Sequence, residues 1–466
     1  MKKLHLTLLI LFPICLSAQT RDPYLWPFSS TSIWNMPIHI NAIYAPANLT
    51  GTPTDPLDSL NTLWAPMPAM DYEHIILAPT APLCQVKHCS VGWTSGDRCI
   101  PTDSIIIDTV PVPAGYIVPD NNTNGCATFI APDGVTVMQN QPFTRCVAGS
   151  YATTLLKFPE VGIYSNGESG NHGGSGLSGF GGSIRVGELR PGQQGPRHAL
   201  KIIIYAKQYL YPGISIADNY RWPATKADSY SVGYYGSATV ATNTTNTEMK
   251  MGSLLAIPAN VDINTLGMET VPGMQLAWTL QKYGAYIVDD TWGPAFGFCG
   301  EKSNSGDLDT QFLADYGFNL IDRVIYNTPW MRDNQRLCVA LRVVSNNSAL
   351  TIGGGPTNDT INRLAPMACP FDFPGSGNMC SPVSGIIKNE TNLIVQIFPN
   401  PSNGEFNIML PTDNATIVVT DVLGQQIRKI QTTQNKTNLQ LDYNGIYFVY
   451  VTTKQGTTTR KLIISR

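Results

Sequence analysis

The stretch beyond Cys380 limits the fold more tightly than any other part of this 466-residue chain. Short apolar segments of strand length recur there: Ile394–Phe398, Glu405–Leu410, Ala415–Val422, Gln426–Ile430, Asn438–Leu441, Ile446–Thr452 and Thr459–Ile464. Leu423-Gly424 and Tyr443-Asn444-Gly445 fall between them, where turn formers interrupt the alternation. Strands this short and this closely spaced predict a small Ig-like β-sandwich. Ser381–Asn392 is polar, holds Pro382 and Gly385, and reads as a linker.

The longer part ahead of the linker, 21–380, is rich in turn formers, and the whole chain has 41 Gly and 34 Pro. With frequent Thr, Val and Ile, this composition favours short strands over long helices. Strands are predicted at Glu73–Leu77, Ser104–Val110, Cys126–Ile130, Val135–Gln139, Gly182–Val186, His198–Ala206, Leu254–Ile257 and Cys338–Val344. Helical spacing of Met274, Leu276, Ala277, Leu280 and Tyr283 predicts a helix over Gly273–Tyr283, with Gly284 as its stop. A second is expected over Asp307–Tyr316. The fold class is therefore mainly β: a large β-sandwich or jelly-roll-like domain with one or two helices, then the small sandwich.

Charged residues make up 14% of the chain and the net charge is −3, which excludes a basic field for nucleic acid. Lys2 and Lys3 followed by the apolar run Leu4–Leu16 and Ser17-Ala18-Gln19 read as a signal peptide, residues 1–18. A lipoprotein anchor on Cys15 is disfavoured by bulky Ile14. No later stretch is long enough for a transmembrane segment.

Once Cys15 has left with the signal, the remaining cysteines are Cys84, Cys89, Cys99, Cys126, Cys146, Cys299, Cys338, Cys369 and Cys380. In an exported chain they read as a disulfide framework with at least one free thiol. Cys126 with Cys146 and Cys369 with Cys380 are conceivable local pairs, though spacing does not determine connectivity. Cys84, His88 and Cys89 stand close enough for zinc, but no second pair follows at zinc-ribbon spacing. No HxH, HExxH or EF-hand loop is present, so neither a metal nor another cofactor is expected.

Four motifs of the tail occur in a recognisable order: Phe398-Pro-Asn-Pro-Ser-Asn-Gly404, Asp421-Val-Leu-Gly424, Asn444-Gly-Ile-Tyr447 and the basic end Arg460-Lys-Leu-Ile-Ile-Ser-Arg466. Together they make residues 393–466 resemble the type A sorting domain of the type IX secretion system. That resemblance implies a Bacteroidetes-type origin, passage through the periplasm and engagement of the type IX machinery. It further implies removal of the domain outside, leaving the product released or held at the outer cell surface. Residues 28–368 resemble a family of secreted bacterial proteins. The segments that carry this likeness include Ser32-Ile-Trp-Asn-Met-Pro-Ile38, Asn171-His-Gly-Gly-Ser-Gly-Leu-Ser178, Gly182-Ser-Ile-Arg-Val-Gly-Glu-Leu189 and Tyr283-Gly-Ala-Tyr-Ile-Val-Asp-Asp-Thr291. This second resemblance implies a shared fold and an extracellular location, and supplies no reaction.

The glycine-rich stretch 167–182 matches neither a phosphate loop nor a nucleophile elbow. It is either a tight structural loop or one whose glycines let the backbone lie against a ligand near His172. His198, at the start of an apolar strand, has the chemistry of an acid or base. Asp289 and Asp290 close another strand on opposite faces, and either could join Glu188 or Asp228 as the two carboxylates of glycosidic hydrolysis. Arg185 and Arg221 suit an acidic sugar or an internal ion pair. Tyr205, Trp222 and the tyrosines up to Tyr235 suit stacking on sugar rings, or plain packing. The expected function is thus a polysaccharide hydrolase or lyase with His198, Glu188, Asp289, Asp290 and Arg185 as catalytic residues. His172, Arg221, Trp222 and Tyr205 would hold the substrate. A non-catalytic surface adhesin or glycan-binding protein is the alternative, and no serine, cysteine or zinc peptidase signature appears.

Overall fold

The structure is a computed structural model that describes residues 22–49, 71–121, 124–291, 293, 295–321, 328–357, 395–410, 414–421, 426–454 and 456–465. The expected signal peptide, the linker, Cys369 and Cys380 lie outside the described residues. The chain divides into two compact units, 1–379 and 380–466.

The first unit is mainly β. Five strands form the centre of its sheet: β1 (Asp71–Ile76), β2 (Ala127–Ile130), β3 (Leu200–Ile204), β4 (Ala285–Asp290) and β5 (Phe296–Ser303). Their spatial order is β4-β3-β5-β1-β2. Only the β3–β5 contact is antiparallel; β4 with β3, β5 with β1 and β1 with β2 run parallel. Beyond β4 the sheet continues through Leu254–Ala256 and Arg342–Val344 to Tyr44–Pro46. Beyond β2 it passes through Thr136–Thr144, Ala152–Lys157 and Leu83–His88 to Ile106–Pro111.

Alternation divides the apolar residues of these strands between two cores. Leu200, Ile202, Ile204, Phe296 and Phe298 enter one, with the helices; Ala199, Ile203, Ile75 and Cys299 enter the other. The helix Val271–Lys282 begins two residues earlier than its apolar spacing shows, because the Thr270 side chain accepts the Gly273 N–H at 3.1 Å and Pro272 stands in its first turn. The predicted second helix is observed at Leu308–Tyr316, capped by Asp307.

Two expected strands need correction, and two alternatives left open for the cysteines are decided. The run Cys338–Val344 is not one strand. Thr328 caps Met331 at 3.2 Å, Pro329 opens a helix that reaches Ala340, and only Arg342–Val344 pairs in the sheet. A short apolar run carries no period of its own, and here it is a helix end joined to a strand. Gly182–Val186 forms a single bridge, Ile184 to Gly300, instead of a strand. Gly182 has φ +79°, and an added Cβ would stand 2.4 Å from the Trp34 ring, so the backbone there turns tightly against the indole. Cys146 bonds to Cys99 and not to Cys126, which is a buried free thiol. The sheet carries Cys126 to the inner face of the unit, away from that surface staple. The Cys84–His88–Cys89 group does not assemble as a site either: His88 pairs with Asp103 at 2.6 Å, and the Cys84 thiol donates to Ser150 O at 3.4 Å.

The second unit holds a three-stranded sheet, Gln396–Phe398, Glu405–Met409 and Lys436–Gln440. A four-stranded sheet is built from Ala415–Thr420, Gln426–Thr432, Gly445–Thr453 and Gly456–Ile464. Phe406, Ile408, Ile417, Val419, Val449, Val451 and Leu462 alternate into one small core.

Candidate functional site

Polar side chains interrupt the apolar inner face of the sheet at one place. On β1, Asp71 and Glu73 share a face with Ile75, and Asp71 lies opposite Cys299 of β5. Between Ile287 and Asp289 the β4 register shifts by one residue, which sets Asp289 opposite Ile203 and Asp290 opposite Ile204. Asp289 thereby joins the face that carries Lys201 and Glu73, while Asp290 turns to the other side and accepts the Ala206 N–H at 2.8 Å.

The glycine-rich stretch covers this polar patch, and residues 174–189 are buried without interruption. His172 sits in a tight turn closed by Gly176 N to His172 O at 2.8 Å and His172 N to Leu177 O at 2.9 Å. Its Nε2 lies 3.2 Å from Glu73 Oε1 and 4.0 Å from Asp71 Oδ2, and its Nδ1 lies 3.3 Å from Asp289 Oδ2. Asn124 Nδ2 joins two of these carboxylates, donating to Asp71 at 2.6 Å and to Asp289 at 3.1 Å. Lys201 Nζ donates to Glu73 Oε1 at 3.0 Å and to the carbonyls of Ser178 and Gly179, so a fully buried lysine pins the loop to the sheet. The glycines are needed for the close approach. A Cβ on Gly174 would stand 2.6 Å from Asp289 Oδ1 and 3.2 Å from Asp228 Oδ2.

Asp228 completes the group from the segment after Trp222. It accepts from Tyr235 Oη at 2.6 Å, and Tyr230 Oη reaches Asp290 at 3.4 Å. Here the site meets solvent: Tyr230 is 37% exposed and Asp228 is half-buried, whereas His172 is fully enclosed.

Burial and the neighbouring Asp289 charge push the Asp228 pKa up to about 7. Burial raises Asp71 to about 7 as well; His172 opposes the shift and Asp289 adds to it. For His172, burial favours the neutral ring, but the Cys299 and Cys126 sulfurs and Asp289 outweigh it and hold its pKa well above the ordinary value. Burial would also raise Glu73, yet Lys201 and His172 bring it below the usual carboxylate range. Burial thus raises two carboxyls of the group, Asp71 and Asp228, while the Lys201 ammonium keeps a third, Glu73, low.

Of the residues singled out from sequence, Asp228, Asp289 and His172 lie in this group, while Asp290, with Tyr205 beside it, turns to the other side of the strand and meets the group only through Tyr230. Glu188, His198 and Arg185 come together elsewhere. Buried His198 Nε2 meets buried Glu188 at 3.0 Å, and buried Arg185 is bound to buried Glu301 at 2.7 Å and to the half-buried Tyr24 O. Arg221 pairs with Glu248 at 2.5 Å and donates to Ser345 O at 3.0 Å, while Trp222 packs partly buried against the inner core. Asp71, Glu73, Lys201, Asn124, Cys126 and Cys299 were not foreseen. The available signal was a pair of acids alternating with Ile75 on the apolar side of a strand.

The second unit has its own marks. Asn400 Nδ2 donates to Lys461 O at 2.7 Å and Asn400 Oδ1 accepts the Ile463 N–H at 2.9 Å, so the Pro-Asn-Pro turn is tied to the last strand. Residues 396–465 match the family model described as the secretion system C-terminal sorting domain. The tail is a type IX secretion sorting domain. A protein carrying this sorting domain is secreted or displayed on the outer surface and engages the type IX machinery. No helix among the described residues is long and apolar enough to cross a membrane.

Among solved structures, PorZ, an essential surface component of the type IX secretion system of Porphyromonas gingivalis, is 17% identical over 16% of this chain and 11% of its own, with a TM-score of 0.14. The d3–d4 region of rat CD45 is 13% identical over 15% of this chain and 46% of its own, with a TM-score of 0.13. The chain spans about a tenth of the PorZ chain and less than half of the CD45 one, and at these scores neither likeness bears on the first unit. No curated protein matches the chain.

Proposed function

We propose that residues 21–380 form a secreted carbohydrate-active hydrolase that cleaves polysaccharide with Asp228 and Asp289, and that residues 393–466 serve only to export it. The observation that carries this reading is the meeting of these two carboxyl groups over Gly174, close to the exposed Tyr230. Asp228, protonated near neutral pH, donates its proton to the glycosidic oxygen as the C–O bond breaks. Asp289, whose carboxyl lies too close to Asp228 to leave room for a water between them, bonds to the anomeric carbon as the leaving C–O bond breaks, and a water deprotonated by Asp228 then hydrolyses that glycosyl ester. The Tyr230 and Tyr234 rings, at 5.2 Å between centroids, offer a face for sugar C–H groups.

Hydrolysis is favoured over β-elimination because Arg185 and Arg221, the cations expected to neutralise a uronate, are each engaged with a glutamate away from this group. The test is release of reducing ends from a polysaccharide panel. The wild-type protein is expected to turn over at least one glycan, and Asp228→Asn and Asp289→Asn to lose roughly 100- to 10,000-fold in rate. An unsaturated, ultraviolet-absorbing product would instead indicate a lyase. Saturable binding with no turnover in any variant would indicate a glycan-binding protein.

A further inference from the structure

The deep end of the site holds a ligand set that acid–base chemistry does not use. Two thiols, Cys126 and Cys299, are reduced and buried beside one imidazole, in a chain that keeps a Cys99–Cys146 disulfide. Cys299 Sγ lies 3.4 Å from His172 Nε2. Asp71, His172 and Cys299 place one donor atom each within 4.8 Å of one another, and Glu73, Cys126 and His172 do the same. In a tetrahedral zinc site, bonds of about 2.0–2.3 Å put ligand atoms roughly 3.2–3.8 Å apart, so small movements close either set.

We propose that His172 Nε2, Cys299 Sγ and the Asp71 carboxylate bind a zinc-class divalent cation. Three features around the ligands support this. The other ring nitrogen of His172 makes no hydrogen bond and lies 3.3 Å from Asp289 Oδ2, so a small ring rotation would complete the carboxylate–histidine arrangement that orients metal-bound imidazoles. Asn124 donates to Asp71 Oδ2 at 2.6 Å and so aims that carboxylate. Glu73, 1% exposed, reaches His172 with Oε1 while its Oε2 accepts no hydrogen bond, and the fully buried Gln141 likewise leaves Oε1 without a donor. Unmet acceptors are costly in a buried site and favour a positively charged occupant. Lys201 already neutralises Glu73 at 3.0 Å, which is why Asp71 is assigned as the carboxylate ligand. Cys126, which accepts from Gln141 Nε2 at 3.2 Å, belongs with Glu73 to the second set around the same imidazole. The mixture of imidazole, thiolate and carboxylate suits zinc over calcium or magnesium. Bound there, the ion ties the His172 turn to β1 and β5 and holds the imidazole against Asp289.

The test uses the full chain, stripped with a chelator and titrated with cobalt(II) as a coloured substitute for zinc. One equivalent per chain is expected, with a near-ultraviolet thiolate-to-cobalt charge-transfer band and a rise in melting temperature. Cys299→Ser should abolish the band. Asp289→Asn, which leaves all three ligands in place, should keep it while weakening binding by about 10- to 100-fold. The wild-type readouts stand even if Cys299→Ser does not fold. A folded wild-type chain with no band and no thermal shift overturns the site, and so does a Cys126–Cys299 disulfide in the purified protein. None of these readouts depends on glycan turnover, so the site and the hydrolase reading can fail separately.

Discussion

Asp228 is the side chain whose ionisation should be easiest to see. Asp289 and Asp290 face it from β4, and the hydroxyls of Tyr230 and Tyr235 face it from its own segment; burial and the two carboxylates outweigh the hydroxyls and raise its pKa from 3.8 to about 7. The folded state therefore holds a proton that the unfolded chain has lost. The resulting stabilisation is complete below about pH 4 and disappears as pH rises through about 7. Asp228→Asn removes this titration. It is expected to melt close to wild type near pH 4 and to be more stable by about 1–2 kcal/mol at pH 8, read from denaturant curves across that range. The same ionisation should make glycan hydrolysis fall as pH rises above about 7, with the limb absent from the residual activity of the variant. At this scale the sequence was half legible. Asp289 stood out as a carboxylate ending a strand, but Asp71 and Glu73 fell in an ordinary-looking segment, because a strand's face does not show which neighbours it will meet.

The glycine-rich loop decides the site at the level of elements. Its turn around His172 and its anchoring by Trp34 Nε1 to Gly167 O at 2.7 Å bring a flexible composition to rest on a charged patch of sheet. Gly174→Ala would force a Cβ to 2.6 Å from Asp289 Oδ1. It is expected to cost about 1–3 kcal/mol and to reduce turnover sharply by pushing the carboxylates apart. Gly115→Ala, at a position with nothing within 4 Å, should change stability by less than about 0.5 kcal/mol and leave turnover unchanged, measured in the same assays. The composition of this loop was open to either a structural or a ligand-facing reading. Packing shows the structural role: Lys201 ties the loop carbonyls of Ser178 and Gly179 to Glu73, the carboxylate that also meets His172. The error over Cys338–Val344 belongs at this scale too: the deciding signals were Thr328 and Pro329, ten residues upstream of the apolar run.

For the whole molecule, the staple and the tail matter most. The Cys99–Cys146 disulfide closes a separation of 47 residues, and the chain-entropy estimate for such a loop is about 4 kcal/mol. Cys146→Ser is expected to lose up to about that much, measured by denaturant unfolding of oxidised wild type against the variant. Deleting the chain from residue 394 onward should leave the protein in the periplasm of its native host, detected by cell fractionation. Export of the truncated chain would contradict the separation of delivery from function.

The tail was determined by its sequence alone. A small sandwich has one core and a strict period of two, and its Pro-Asn-Pro turn and Asn-Gly corner are local, so few arrangements satisfy the pattern. In the first unit the sequence determined composition, most strand positions and the inner helix, all of which depend on neighbours within a dozen residues. Only the tertiary structure could decide that Asp71, His172, Asp228, Asp289 and Cys299 meet. They come from separate strands and loops, and what draws them together is the burial of apolar residues between them, which fixes the strand order and so chooses which polar atoms must face one another.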